Sequence, residues 1–189
     1  MPSIILASAS PRRSQILEAA GFTFTVVKPD VEEVFDPAMP VMEVPLYLAG
    51  LKMDAARKMV ADDALIITAD TVVILNEQLI GKPVDEQDAF RILRALSGNM
   101  HLVVSGVCLY YKGNQYDIDV TTKVYFDHLT DAEIHAYLDT CKPYDKAGAY
   151  AIQEWIGMNK ISRIEGDYYN VVGFPMSKIY PVLTALLAL

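Results

Sequence analysis

The segment Ser8-Ala9-Ser10-Pro11-Arg12-Arg13 brings together two hydroxyls, a proline suited to the first position of a helix, and two guanidiniums. An apolar run ends just before it and a helical pattern begins inside it, which predicts a strand–loop–helix junction. Helix N-termini expose unpaired backbone N–H groups and the positive end of the dipole, so they attract phosphate. Ser8 and Ser10 can donate to phosphate oxygens, and Arg12 and Arg13 offer forked donors that match them. The structural alternative is a serine cap followed by two solvated arginines, although cations in a first turn oppose the dipole.

Asp70 is the second notable residue. It stands between Leu65-Ile66-Ile67 and Val72-Val73-Ile74-Leu75, in a run that otherwise reads as a buried strand. An ionised carboxylate in such a place needs a partner, hydrogen bonds or a metal; an aspartate at a strand end accepting backbone N–H groups is the plainer alternative. Glu32 and Glu33 sit in a loop and become relevant if that loop folds toward Asp70. Two or three carboxylates around a hard cation would make an oxygen site of the kind magnesium prefers. Lys52 lies on the buried-looking side of a helix and Lys82 is fixed in Gly81-Lys82-Pro83. Either is a surface lysine or one of the point charges a triphosphate site requires. In Pro143 to Gln153, small residues allow close backbone approach to a ligand, and Gln153 carries both a donor and an acceptor. A tightly packed turn is the other reading of that stretch.

These groups have to be positioned by an alternation of strands and helices. Ser3 to Ala7 reads as a strand, about Arg12 to Ala20 as a helix stopped by Gly21, and Phe24 to Val27 as a strand. Lys28 to Pro40 reads as a loop. A helix from about Val44 to Val60 is expected to bury Leu48, Leu51, Ala55 and Met59. Leu65 to Leu75 follows as a strand, and Asp85 to Leu96 as a helix with Phe90, Leu93 and Leu96 inward. Leu102 to Tyr111 and Gln115 to Phe126 form a hairpin around Lys112-Gly113-Asn114. Thr130 and Glu133 make a capping-box pattern for a helix to about Thr140. Lys160 to Ile164 reads as a strand, Gly166 to Pro175 as an ordered loop, and Pro175 to Leu189 as a last helix. The fold class is therefore α/β with a mixed sheet, since a hairpin sits inside the alternation. No repeat or linker divides the chain, so residues 1–189 read as one domain.

Composition narrows the partners. At 189 residues, 52% hydrophobic and 21% charged, the chain can build a core and is not of disordered type. A net charge of -8 argues against non-specific binding to nucleic acid or anionic membrane. A polyphosphate ligand would then require the few cations to cluster. Cys108 and Cys141 suggest neither a disulfide framework nor metal-ligand spacing, and Met1 to Leu6 lacks signal-peptide features, so a cytoplasmic protein is expected. His101, His128 and His135 share no ligand spacing.

From Leu6 to Pro175 the chain resembles the Maf family of nucleotide pyrophosphatases, on five segments in the family's order. They are Ser8 to Arg13, Ala69-Asp70-Thr71, Gly81-Lys82-Pro83, Leu96-Ser97-Gly98 and Asp145 to Tyr150. The resemblance implies a twisted mixed sheet flanked by helices with a ligand cleft, and often a homodimer. It implies hydrolysis between the α and β phosphates of a nucleoside triphosphate, with Mg2+ or Mn2+ as cofactor. Asp70 matches the family's base, and Glu33, Lys52 and Lys82 match positions linked to metal and phosphate. Arg12, Thr71 and Gln153 match the branch acting on dTTP and UTP. The branch acting on 7-methyl-GTP typically has Trp and Gln at the first two of these positions. Leu51-Lys52-Met53, Gly166-Asp167-Tyr168 and Glu154-Trp155 depart from the family's usual Glu-Lys-Ala, Gly-Ser-Tyr and the glycine that commonly follows the glutamine.

The expected mechanism is in-line attack of water on the α-phosphorus. Glu33 and Asp70 would hold the metal and Asp70 would act as general base. Ser8, Arg13, Lys52 and Lys82 would meet phosphate charge, and Arg12, Thr71 and Gln153 would select the base or its neighbouring phosphate. The alternatives are a 7-methyl-GTP pyrophosphatase and a non-catalytic nucleotide-binding regulator of septum formation.

Overall fold

A computed structural model of the chain describes residues 2–188. Its elements are β1 (Ile4–Ala7), α1 (Pro11–Ala19), β2 (Thr25–Val27), α2 (Val44–Ala56), β3 (Leu65–Leu75), β4 (Gln78–Ile80) and α3 (Glu86–Leu96). They continue as β5 (Met100–Tyr111), β6 (Asn114–Phe126), α4 (Asp131–Cys141), α5 (Trp155–Lys160), β7 (Ile161–Glu165), α6 (Tyr168–Val172) and α7 (Met176–Leu187). The strands form a seven-stranded sheet in the order β2-β1-β3-β5-β6-β7, with β4 paired to β3. β1 runs parallel to both β2 and β3, whereas β4 is antiparallel to β3 and β7 antiparallel to β6. The mixed sheet flanked by helices is the α/β class expected. Among the described residues no helix is long and apolar enough to cross a membrane.

By their contacts the residues fall into two compact units. The first comprises residues up to Thr71, Ser105–Val120, and those from Gly173 on. Its core packs Ile5, Ala7 and Ile66 of the sheet against Ala49, Met53 and Ala56 of α2, with Cys108. Two features hold α2 close. Thr68 donates its hydroxyl to the Ala49 carbonyl at 2.8 Å. Gly106 lies so near Leu46 that an added Cβ would collide with that residue's backbone.

The second unit comprises Val72–Val104 and Thr121–Val172. Its core gathers Val73, Leu93, Leu96, Phe126, Ile134, Tyr137, Leu138 and Tyr150. α3 starts at Asp85, whose side chain accepts from the Asp88 N–H, and α4 starts at the complete Thr130–Glu133 capping box.

Several sequence expectations need correction. α2 buries Pro45, Leu48, Ala49, Met53 and Ala56, while Met59 is 53% exposed and lies beyond the helix end. The helix is apolar on nearly every side, so periodicity misjudged its inward face by about one position. β4, α5 and α6 were unexpected; α6 occupies part of the stretch read as a loop. The last helix ends at Leu187, and Leu189 lies outside the described residues.

Candidate active site

The register of β1 on β3 pairs Ala7 with Thr68. The Ser8 loop therefore leaves the parallel pair beside Ala69, Asp70 and Thr71. This is the carboxyl end of β1, the kind of place where open α/β sheets bind ligands, while β3 runs on past it to Leu75.

Ile66 and Thr68 contact α2, and strand alternation sends Asp70 to the same side. There Lys52 Nζ meets Asp70 Oδ1 at 2.5 Å and Glu33 Oε1 at 2.8 Å. Lys52 and Asp70 side chains are 15% and 13% exposed, while Glu33 is 51% exposed, so Glu33 forms the solvent side of the triad. Burial raises the Asp70 pKa above the usual carboxylate value; Lys52 and then Arg13 oppose the shift, and Glu33 reinforces it. A proton acceptor held among cations but partly desolvated is suited to general-base work.

Two carboxylates thus converge on one cationic point, which the Lys52 ammonium marks. Hard oxygen donors at such a point fit magnesium or manganese. Among the described residues there is no group of three or more His, Cys, Asp or Glu that could hold a metal. Magnesium, however, uses one or two carboxylates and completes its shell with water and substrate phosphate.

On the N-terminal segment, Ser10 is the N-cap residue and makes no side-chain cap bond. Ser8 is buried, and its Oγ accepts from Ser10 N–H and from Arg13 Nη1, both at 3.2 Å. With both lone pairs occupied, the Ser8 hydroxyl proton remains to be donated. Arg13 turns inward, away from the helix dipole. Its Nε donates to Gly173 O at 3.0 Å and its Nη1 to Ala69 O at 2.8 Å. Its Nη2 reaches Thr71 Oγ1 at 3.3 Å. The guanidinium therefore locks the two residues flanking Asp70 while its charge bears on the carboxylate. Gly173, at φ 112°, adopts a conformation that favours glycine. Arg12 is half-buried in the same first turn.

Ser105 is a site-lining residue that sequence reading missed. It is fully buried, and its Oγ lies 2.8 Å from Thr71 Oγ1, which also donates to Gly173 O at 3.3 Å. A serine beside Gly106 inside an apolar strand was the available signal, of the same kind as Asp70.

The structure thus brings Ser8, Arg13, Glu33, Lys52, Asp70 and Thr71 together in the first unit. Lys82 and Gln153 belong to the second unit. Lys82 is exposed, in the loop between β4 and α3, where the Gly81 carbonyl accepts from Gly148 N–H at 3.1 Å. Gln153 is exposed, at the tip of a turn.

A dTTP/UTP pyrophosphatase of Porphyromonas gingivalis is 45% identical over 180 residues, covering 94% of this chain and 90% of that protein. A dTTP/UTP pyrophosphatase of Parabacteroides distasonis is 44% identical over 181 residues, covering 95% and 94%. The crystal structure of a nucleoside-triphosphatase / dITP/XTP pyrophosphatase from Mycobacterium abscessus aligns over 67% of this chain and 75% of its own, with TM-score 0.41 and 13% identity. The family model described as Maf-like protein matches residues 3–186, nearly everything from the first strand to the last helix. The chain belongs to the Maf family.

Proposed function

We propose that this chain is a nucleoside triphosphate pyrophosphatase that hydrolyses dTTP and UTP to the monophosphate and pyrophosphate. The carrying observation is the desolvated Asp70 carboxylate, held by Lys52 and facing Glu33 just past the point where the parallel pairing of β1 with β3 stops. The names of relatives at 44–45% identity over almost the whole chain support the substrate class.

In this reading a water attacks the α-phosphorus, its proton passes to an Asp70 oxygen, and the bond to the α–β bridging oxygen breaks as pyrophosphate leaves. Lys52 and then Arg13 oppose the burial that raises the Asp70 pKa, favouring the carboxylate form that accepts the proton. The Ser8 hydroxyl donates to phosphate, Lys52 and Lys82 offset its charge, and Arg12, Thr71 and Gln153 set nucleotide preference. Glu33 and Asp70 would hold Mg2+ or Mn2+, which supplies Lewis-acid charge on phosphate oxygens. The reading takes residues 1–189 as one pyrophosphatase domain and includes the homodimer that the family resemblance implies.

The test is a pyrophosphate-release assay on canonical nucleotides and 7-methyl-GTP, with and without chelator. dTTP and UTP should be the preferred substrates, and activity should disappear with chelator and return with magnesium or manganese. Asp70→Asn should lower kcat by about a hundredfold or more, the scale of a lost general base, while its circular dichroism stays native. Preference for 7-methyl-GTP, or nucleotide binding without any release, would replace this reading with one of its rivals.

A further inference from the structure

The turn that carries Gln153 is anchored at both ends by one buried hydroxyl. Tyr137 of α4 is 2% exposed. Its OH accepts from Ala151 N–H at 3.2 Å and donates to Glu154 Oε2. The turn closes on itself through Glu154 N–H to Ala151 O at 3.1 Å. The other carboxylate oxygen of Glu154 meets Lys146 Nζ at 3.4 Å, and Lys146 is only 12% exposed. Within the turn Ile152 is buried, and its backbone packs so tightly on Gly157 that a Cβ there would collide with it. Every residue of the turn is therefore fixed except Gln153, which is exposed. The Gln153 side chain has no hydrogen-bond partner among the described residues.

We infer that Tyr137, Glu154 and Lys146 are positioning residues that present the Gln153 amide for nucleobase selection. The inference rests on the pyrimidine reading above and deepens it. Uracil offers a ring N–H donor beside a carbonyl acceptor, whereas cytosine offers a ring acceptor beside an amino donor. A carboxamide meets the uracil edge in one orientation and the cytosine edge only when turned over, so a preference between them requires a stem held where one of the two orientations is favoured. The same clamp gives a purpose to the lysine of Asp145-Lys146-Ala147-Gly148, which the proposed reaction leaves unassigned.

The experiment compares kcat/KM for UTP and CTP in wild type, Gln153→Ala, Tyr137→Phe, Glu154→Gln and the Gln153→Ala/Tyr137→Phe double variant. Gln153→Ala should erode the UTP/CTP ratio. Tyr137→Phe should move the ratio the same way by about fivefold, the worth of one net hydrogen bond. Glu154→Gln, which keeps an acceptor for Tyr137 but loses the charge facing Lys146, should give a smaller shift in that direction and serves if Tyr137→Phe folds poorly. In the double variant Tyr137→Phe should add nothing to the ratio, because the residue it positions is gone. Independently of activity, the Ala151 amide should exchange with solvent faster in Tyr137→Phe. A clamp that is merely structural would lower both substrates equally and leave the ratio intact, overturning the inference alone. An unchanged ratio in Gln153→Ala would remove the selective role of Gln153 and with it both the inference and that part of the functional reading.

Discussion

At the scale of single residues, the Thr71 hydroxyl has its full complement of bonds. It has one proton and two lone pairs. With the proton on Gly173 O, Ser105 must donate to Thr71, and Arg13 Nη2 occupies the second lone pair. In the proposed reading Thr71 would therefore act on nucleotide preference through the Arg13 guanidinium and the Gly173 carbonyl that it orients, with no hydroxyl valence to spare for a ligand. Thr71→Val keeps the branched shape and removes this hub, leaving Arg13 and Ser105 short of an acceptor. It should destabilise the protein by about 1–2 kcal/mol in urea unfolding and lower kcat/KM, while Thr71→Ser should recover most of both. Ser105→Ala should show the same defects at smaller size, because Gly173 and Arg13 remain. If Ser105→Ala had no effect on either measurement, the hub would reduce to the Arg13–Gly173 contact.

At the scale of elements, the position of Lys52 depends on how closely α2 lies on β3 and β5. Two small details set that distance: the Thr68 hydroxyl on Ala49 O and the missing side chain of Gly106 beneath Leu46. Gly106→Ala inserts a methyl against helix backbone, which cannot rotate away as a side chain could. The expected cost is about 1–3 kcal/mol, as for overpacking, with a parallel fall in kcat as Lys52 is carried off Asp70. A variant with normal activity and normal unfolding midpoint would show that the helix yields without moving the lysine. The two ties also explain what could be read in advance. The unusual place of Asp70 was legible because a carboxylate in an oily strand has few harmless explanations, whereas Glu32 and Glu33 read alike until the family resemblance singled out Glu33. The inward face of α2 was not legible, because Lys52 and Asp54 are its only charged residues and hydrophobic periodicity had little contrast to work with. β4, α5 and α6 span three, six and five residues, lengths at which tertiary contacts rather than local propensity decide the conformation. Ser105 and the Tyr137–Glu154 clamp depend on long-range pairing that one sequence does not display.

At the scale of the whole molecule, stability should carry an acid dependence traceable to one histidine. His101 is 1% exposed, edge-on to Phe126 and Tyr150, with Nε2 2.7 Å from the Tyr150 hydroxyl and Nδ1 without a hydrogen-bond partner among the described residues. Among the described residues no carboxylate compensates an imidazolium there, and burial pushes its pKa down to about 3 from 6.5. Between those values the unfolded chain takes up a proton that the folded chain refuses. Stability is therefore fully present above pH 6.5 and falls as the pH drops, by up to about 1.4 kcal/mol per pH unit. Asp70 works with the opposite sign, since its raised pKa makes the folded state the better proton acceptor. Asp88, Glu133 and Glu165 have lowered values and lose their contribution only at more acidic pH. Urea unfolding of wild type and His101→Phe at pH 7.5, 6.5 and 5.5 isolates the histidine, because the carboxylate contributions cancel in the difference. His101→Phe should be less stable at pH 7.5, where the bond to Tyr150 is lost. It should close most of that gap by pH 5.5 as the wild type weakens; curves that stay parallel would mean His101 takes its proton inside the fold.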